Sequence, residues 1–267
     1  MKLSQRFKTT LLFILLNSSK LMYKVHMQSF RFRDQNHREI RKIILSLNKY
    51  GYAILENHFN DELITRMRID NIEKLTNHET KFDNGIESRL FASERSIVSN
   101  QIFSNDLMIG KIGQIYLGMS VKNIGCMANI VRPDENAEVG SGGGWHRDSW
   151  FPQFKAMMYL TDVEVCGDGA FEVLAGTHKL RSKFIHIKQF KHFGLRFNST
   201  EVETRMNDKD RRFIPGKSGT ILMFDSSSIH RGSPNFNQDR VAITNYYYQR
   251  IFNIKKLEKK YGIDIDN

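Results

Sequence analysis

The amino-acid sequence predicts an α+β protein in which a β-barrel core is preceded by amphipathic helices. Helical periodicity dominates the first part of the chain, and short β-rich runs separated by glycine and aspartate follow Met119. The chain has 267 residues, 40% of them hydrophobic, so it can bury a substantial core. This composition excludes an intrinsically disordered protein.

Three helices are predicted before the β-rich part. The first carries an apolar stripe at helical spacing over residues 40–47. Asn60 can cap a second helix over residues 61–75, because its side chain can accept from an unpaired backbone N–H of the first turn. The third covers residues 106–117, although Gly110 and Gly113 lower its helix propensity.

Alternating or continuous apolar runs bounded by turn residues predict the strands. These strands cover residues 52–55, 126–131, 156–161, 169–174, 219–224 and 241–249. A lysine-rich helix is predicted over residues 253–261. The predicted helices come first and the strands later, which favours separate helical and β layers.

Residues 1–30 are interpreted as an N-terminal extension and residues 31–267 as a single domain. The apolar run over residues 11–16 follows basic residues, as in an export signal, but no small-residue cleavage site follows it. The run is also too short to span a bilayer. We therefore expect no transmembrane segment and at most weak contact of the extension with a membrane surface.

The charge and the cysteines restrict the partners and the compartment. The net charge of +11 suits an acidic partner, but no basic stripe interleaved with aromatic residues is present, so nucleic acid is not expected. Cys126 and Cys166 offer no disulfide framework, which is typical of a reducing compartment and predicts a cytoplasmic protein. The sequence predicts no particular oligomeric state.

The most informative pattern consists of His146 and Asp148 at H-x-D spacing, followed far along the chain by His230. On an extended segment this spacing places both side chains on one face. Two imidazoles and one carboxylate form the facial triad that holds non-haem Fe(II) and leaves positions open. Arg240 follows His230 by ten residues, and its guanidinium can bind the distal carboxylate of 2-oxoglutarate.

Three blocks of sequence resemble a known family. The blocks are Trp145–Asp148, residues 168–179 and residues 215–233, and the resemblance extends over about residues 37–250. They are similar to the phytanoyl-CoA dioxygenase (PhyH-type) Fe(II)/2-oxoglutarate oxygenases. One departure is Ala175, where the family usually has proline in a turn.

The resemblance implies a double-stranded β-helix (jelly-roll) fold with Fe(II) on His146, Asp148 and His230, and with 2-oxoglutarate on Arg240. It further implies O₂ as oxidant, ascorbate as a supporting reductant, and a small-molecule substrate. Because the carboxylate of Asp148 is present, where related halogenases have a small residue, the expected reaction is a hydroxylation that releases succinate and CO₂. Desaturation or ring formation with the same site residues remains an open alternative.

Further contacts to 2-oxoglutarate are expected from Asn129, Tyr159 and Ser233, which lie on strands or turns near the site. Three other arginines compete with Arg240 for the carboxylate: Arg132, Arg147 and Arg250. Arg147 should point away from the metal, since it lies between two ligands on an alternating strand. Arg250 lies at the far end of its strand. His178 is expected to have a structural role beside the pocket.

Other classes of protein remain open at this point. A zinc hydrolase could use the same His/Asp/His site with a bound water, and it would not need Arg240. A non-catalytic jelly-roll binding protein would not need an intact triad.

Segment 179–212 contains ten Lys/Arg and four Asp/Glu. Its position between two predicted strands indicates a surface loop or a cationic lid. Arg181, Lys183, Arg211 and Arg212 would then select an anionic substrate.

Overall fold

The computed structural model describes residues 11, 14, 35–77, 82–83, 85–91, 98–164, 167–190 and 194–260. The N-terminal extension predicted over residues 1–30 lies outside the described residues except for Leu11 and Ile14, and so does Cys166. None of the described helices combines the length and the apolar character needed to cross a bilayer.

Four of the described helices precede the long strand β4, two lie between β6 and β7, and one follows β10. The helices are α1 (Gln35–Tyr50), α2 (Asp61–Asn77), α3 (Val98–Ile102), α4 (Leu107–Leu117), α5 (Leu180–Phe190), α6 (Ser199–Arg205) and α7 (Ile254–Lys260). The strands are β1 (Tyr52–Leu55), β2 (Phe82–Asp83), β3 (Glu87–Leu90), β4 (Val121–Val131), β5 (Phe154–Tyr159), β6 (Phe171–Leu174), β7 (Arg211–Ile214), β8 (Ile221–Asp225), β9 (His230–Gly232) and β10 (Arg240–Gln249).

Two antiparallel sheets form the β core. The large sheet has the order β1-β8-β5-β10-β4-β3-β2, and the small sheet has the order β7-β6-β9. An antiparallel bridge between His146 and His230 adds the H-x-D segment to the edge of the small sheet. The predicted α+β class with a β core and N-terminal helices is confirmed.

The two faces of the large sheet have different environments because side chains alternate along each strand. Ala128, Met158 and Ile243 lie on one face and pack in the main core with residues of α1, α2 and α4. Met157 and Ala242 lie on the other face and pack against the small sheet. The helices therefore cover one face of the large sheet, and the opposite face is available for a site between the sheets.

Local sequence signals predicted β1 and the starts of α2 and α4 in the N-terminal part. The predicted strand 52–55 coincides with β1, and α2 begins where Asn60 Oδ1 accepts from the backbone N–H of Leu63 at 2.9 Å. Helix α4 begins after Asp106, whose Oδ1 accepts from Ile109 N at 2.8 Å. The short strands β2, β3, β7 and β9 carried too little periodicity to be predicted.

The expectation of a loop or lid over residues 179–212 was wrong. The described part of this segment contains α5, α6, a 3₁₀ turn over Asp208–Asp210 and the start of β7. Val202 and Phe197 pack with Trp145 in a small core of their own, so the segment is fixed against the H-x-D region. Packing between residues distant in sequence cannot be predicted from the composition of the segment alone.

Gly113 is needed for packing, although glycine is unfavourable within a helix. A Cβ atom at this position would lie 2.6 Å from the Phe154 ring, whereas a Cβ atom at Gly110 would meet nothing within 4 Å. Helix α4 can therefore approach β5 closely only where it lacks a side chain.

We predict that Gly113→Ala lowers the free energy of unfolding by about 1–3 kcal/mol, because overpacking outweighs the better helix propensity of alanine. Gly110→Ala is the matched control and should raise it by roughly 0.5–1 kcal/mol. Denaturant unfolding of both variants measures the difference. Equal stabilisation by the two substitutions would contradict the close contact.

Candidate active site

His146 and His230 are joined through the backbone. His146 N donates to His230 O at 2.9 Å, and His230 N donates to His146 O at 2.8 Å. Asp148 is positioned by its own N–H, which donates to Ser226 O at 3.0 Å. The H-x-D segment thus runs beside β9, and the three predicted ligands come together at the edge of the small sheet.

The three side chains form a compact cluster. The distance from His146 Nε2 to Asp148 Oδ1 is 3.7 Å, and that from His230 Nε2 to Asp148 Oδ2 is 3.8 Å. One ligand atom from each residue lies within 4.8 Å of the others. Nitrogen and oxygen donors in this arrangement fit a divalent transition metal with positions left open.

Backbone carbonyls orient both imidazoles. His146 Nδ1 donates to Gly144 O at 2.8 Å, and His230 Nδ1 donates to Ser228 O at 2.9 Å. This leaves each Nε2 deprotonated and facing the cluster, which is the tautomer that a metal requires. The His230 ring is also held by Phe171 and Phe224, whose ring centroids each lie 5.4 Å from it.

The protonation states suit metal binding as well. Burial lowers the pKa of His230 to about 3 and also lowers the pKa of His146. Burial alone would raise the pKa of Asp148, but the Lys155 ammonium and the two imidazoles outweigh it and hold that pKa well below its usual range. At neutral pH the cluster therefore presents two neutral imidazoles and a carboxylate.

Lys155 is the closest charged neighbour of the cluster, and the sequence analysis did not identify it. Its Nζ lies 2.7 Å from Asp148 Oδ2 and 4.2 Å from the centre of the Tyr246 ring. Lys155 lies on β5 with its side chain only 10% exposed, so this ion pair is partly shielded from solvent. An alternating inward position on a strand facing the site was the available signal.

Arg240 lies in the same cavity without an internal partner. Arg240 is 3% exposed, and its Nε has no hydrogen-bond partner. It forms no ion pair within the described ranges. Burial lowers the pKa of Arg240, as expected for a cation held without a compensating anion, although arginine remains protonated. A buried unpaired guanidinium is costly, and a ligand carboxylate would satisfy it.

The competing arginines are engaged elsewhere. Arg147 is buried and points away from the cluster, with its guanidinium bound to Thr177 O and to His186 Nδ1, the latter at 2.6 Å. Arg132 donates to Ser88 Oγ at 2.9 Å at the protein surface. Arg250 is exposed beyond the end of β10. The predicted orientation of Arg147 is thus confirmed.

Of the three other residues expected to contact 2-oxoglutarate, one lines the Arg240 cavity and two do not. Asn129 lines the Arg240 cavity, with Nδ2 donating to Glu87 Oε1 at 3.0 Å. The Tyr159 hydroxyl donates to Ile214 O at 3.0 Å and accepts from Phe171 N at 2.9 Å, so it links the two sheets. Ser233 is buried with its Oγ unpartnered, outside the residues that line this cavity.

The basic segment contributes mainly to the scaffold. Lys183 is fully buried and donates to Trp150 O at 2.9 Å, and Arg211 Nε donates to Glu172 Oε2 at 2.8 Å. The guanidinium of Arg212 donates to the backbone oxygens of Lys209 and Arg211. Arg181 is exposed on α5 but does not line the cavity of the triad. The expectation that these four residues together form a cationic lid was therefore wrong. His178 packs under Gly51 and contacts Asn48 O at 3.3 Å, which is the structural position expected for it.

Two antiparallel sheets that hold a His/Asp/His cluster beside a buried arginine define the class of iron- and 2-oxoglutarate-dependent oxygenases. The chain matches the model of the family described as Phytanoyl-CoA dioxygenase (PhyH) over residues 47–242, and it belongs to that family. It is therefore an oxidoreductase of the iron- and 2-oxoglutarate-dependent type, as the sequence resemblance predicted.

Solved structures share the fold at low sequence identity. The epimerase SnoN from nogalamycin biosynthesis has a TM-score of 0.58 at 11% identity, covering 79% of this chain and 83% of SnoN. HygX from Streptomyces hygroscopicus, with nickel, 2-oxoglutarate and hygromycin B bound, has a TM-score of 0.57 at 15% identity, covering 79% of this chain and 88% of HygX. AviO1 from Streptomyces viridochromogenes Tue57 has a TM-score of 0.56 at 16% identity, covering 83% and 97%. No curated protein sequence matches the chain significantly.

We predict that Lys155→Met lowers the melting temperature of the metal-free protein, because it leaves the Asp148 carboxylate without its cation. The free energy of unfolding should fall by about 1–3 kcal/mol, since the side chain of Asp148 is only partly buried. Mn(II) should restore much of this loss, so the metal-induced rise in melting temperature should be larger in Lys155→Met than in the wild type.

Lys155→Arg, which keeps the charge, is the control for this experiment. An identical metal-induced shift in Lys155→Met and the wild type would show that Lys155 does not compensate Asp148.

Proposed function

We propose that the protein is a dioxygenase that hydroxylates a small molecule, with His146, Asp148 and His230 as metal ligands and Arg240 as the 2-oxoglutarate anchor. The observation that carries this proposal is the buried, unpaired Arg240 in the cavity that also contains the triad. A guanidinium and a metal site in one cavity fit a molecule with a carboxylate at one end and a chelating group at the other.

When bound, Fe(II) with 2-oxoglutarate and O₂ supplies the oxidising chemistry, with release of succinate and CO₂. The protein's own contribution is placement and exclusion of water. Arg240 would hold the distal carboxylate by charge-assisted hydrogen bonds. Met157, Phe171 and Phe224 line the same cavity and keep its walls apolar. Asn129, which lines this cavity, would supply a further polar contact to the bound cosubstrate.

As the third ligand, Asp148 would leave no position for a halide, which argues against halogenation. We propose hydroxylation in preference to desaturation or ring formation, which the same site residues could also support. A hydrolase built on the same cluster would gain nothing from Arg240. The rival classes are separated by one assay of succinate formation with Fe(II), ascorbate and 2-oxoglutarate across a pool of candidate small molecules. Absence of 2-oxoglutarate consumption under every condition would favour the non-catalytic or hydrolytic alternatives.

A cytoplasmic location also remains part of the proposal. It is supported by the small number of cysteines and by the reducing conditions under which Fe(II) is available.

The triad is tested by metal binding. We expect His146→Ala and His230→Ala each to weaken Mn(II) binding by at least an order of magnitude and to abolish 2-oxoglutarate turnover, since each removes one of three ligands. Calorimetric titration with Mn(II) measures the first effect. His178→Ala, which removes an imidazole outside the cluster, should retain metal affinity. Normal 2-oxoglutarate consumption by the His146/His230 double variant would show that the metal ligands lie elsewhere.

Arg240 is tested by the affinity for 2-oxoglutarate. Arg240→Gln removes charge-assisted hydrogen bonds worth roughly 1.5–3 kcal/mol each, so the KM for 2-oxoglutarate should rise about tenfold or more while Mn(II) binding persists. Arg132→Gln removes an arginine at the surface and should leave the KM unchanged. If Arg240→Gln also leaves it unchanged, another residue binds the carboxylate.

A further inference from the structure

Two cavities meet at the metal-ligand cluster. His146 and Asp148 line both of them. The first cavity, of about 130 Å³, continues past His230 to Arg240. The second, of about 390 Å³, extends to the opposite side and is bounded there by Val139 and Arg196. A molecule in the second cavity can therefore reach the same metal position without displacing a ligand bound at Arg240.

We propose that the second cavity is the substrate site and that it takes an amphiphilic small molecule whose acidic group, a carboxylate or a phosphate, pairs with Arg196. This inference rests on the proposed function, because it assigns the cavity beside the cosubstrate compartment.

Arg196 is held at the cavity rim by the glycine loop. Its Nη1 donates to Gly142 O at 2.7 Å and to Gly143 O at 3.0 Å. Its backbone bridges to His146, so its distance from the metal cluster is set by main-chain pairing. No acidic side chain forms an ion pair with Arg196 in the part of the chain that the structure describes. The other edge of its guanidinium can therefore take an acid bidentately.

The remaining charges of this cavity are matched within the protein. Glu87 accepts from Arg89 Nε at 2.9 Å and Nη2 at 2.7 Å, and from Ser141 Oγ at 2.6 Å. Asp148 is matched by Lys155 at 2.7 Å. The positive charge of Arg196 is left to act on the ligand, which is why the site favours an anion.

The walls between the rim and the metal cluster are partly apolar. Ile86 is 37% exposed and Val139 is 45% exposed, and both line the second cavity. A ligand with an acidic end at Arg196 and an aliphatic or ring body along these side chains would bury apolar surface and present a carbon near the metal.

The tests use the full chain loaded with Mn(II) and 2-oxoglutarate, which keeps both compartments intact without turnover. Octanoate and octyl phosphate serve as anionic ligands, and methyl octanoate and octanol as matched neutral ones. Calorimetry measures the Kd of each. We expect both anions to bind more tightly than their neutral counterparts without competing with 2-oxoglutarate, and their binding to weaken with salt.

The variants distinguish recognition of the anion from anchoring of the loop. Arg196→Gln keeps a donor for the glycine carbonyls but loses the charge, so it should weaken anion binding about twofold to fivefold and leave octanol binding as it is. Arg196→Lys should retain most of the preference. Arg181→Gln, an exposed arginine on α5 that lines neither cavity, is the control. Val139→Glu places a negative charge in the cavity and should weaken the binding of both anions. Val139→Gln is its neutral control.

Equal binding of anions and neutral analogues, unchanged anion affinity in Arg196→Gln, competition with 2-oxoglutarate, or no binding of either anion would each overturn the proposal. The 2-oxoglutarate affinity of the same proteins reports on the cosubstrate compartment separately. Its loss in Arg240→Gln but not in Arg196→Gln would leave the proposed function standing even where the anion site fails.

Discussion

Two backbone hydrogen bonds, from His146 N to His230 O and from His230 N to His146 O, hold the candidate site together. Residues that exchange both bonds in an antiparallel pair lie opposite each other with their side chains on the same face. The imidazoles must therefore be neighbours, and their ring centroids lie 4.4 Å apart. Asp148 follows two residues later on the same face. Loss of this pairing would separate ligands that are distant in sequence.

The pairing of buried charges indicates where a ligand would bind in the site. Burying an unpaired charge is costly, so folded proteins match buried charges internally. Glu87 is matched by Arg89, Asp148 by Lys155, and Glu172 by Arg211 and Arg231. Arg147 and Lys183 are also buried, but they donate to backbone oxygens. Arg240 has no such acceptor among the described residues, and it lies in the cavity of the triad. This exception marks the place where a ligand supplies the missing anion.

The basic segment 179–212 packs against the H-x-D segment on the side away from the metal-ligand cluster. Arg147, between the two ligands of the H-x-D segment, reaches His186 of α5, and Lys183 of the same helix binds the backbone at Trp150. Lys183 therefore belongs to the scaffold beside the cluster and not to a lid. Arg196 is the residue of the segment that lines the second cavity.

The sequence by itself determined the helical and β layers, the three metal-ligand candidates and Arg240, because periodicity, capping and ligand spacing are local or depend on residue type alone. Lys155, the pairing of Glu87 with Arg89, and the separation of Asn129 from Tyr159 and Ser233 depended on the tertiary structure. The same holds for the approach of α4 to β5 at Gly113 and for the fold of residues 179–212. In each case the deciding contact joins side chains from separate elements, and the register and packing that bring them together leave no mark in the local sequence.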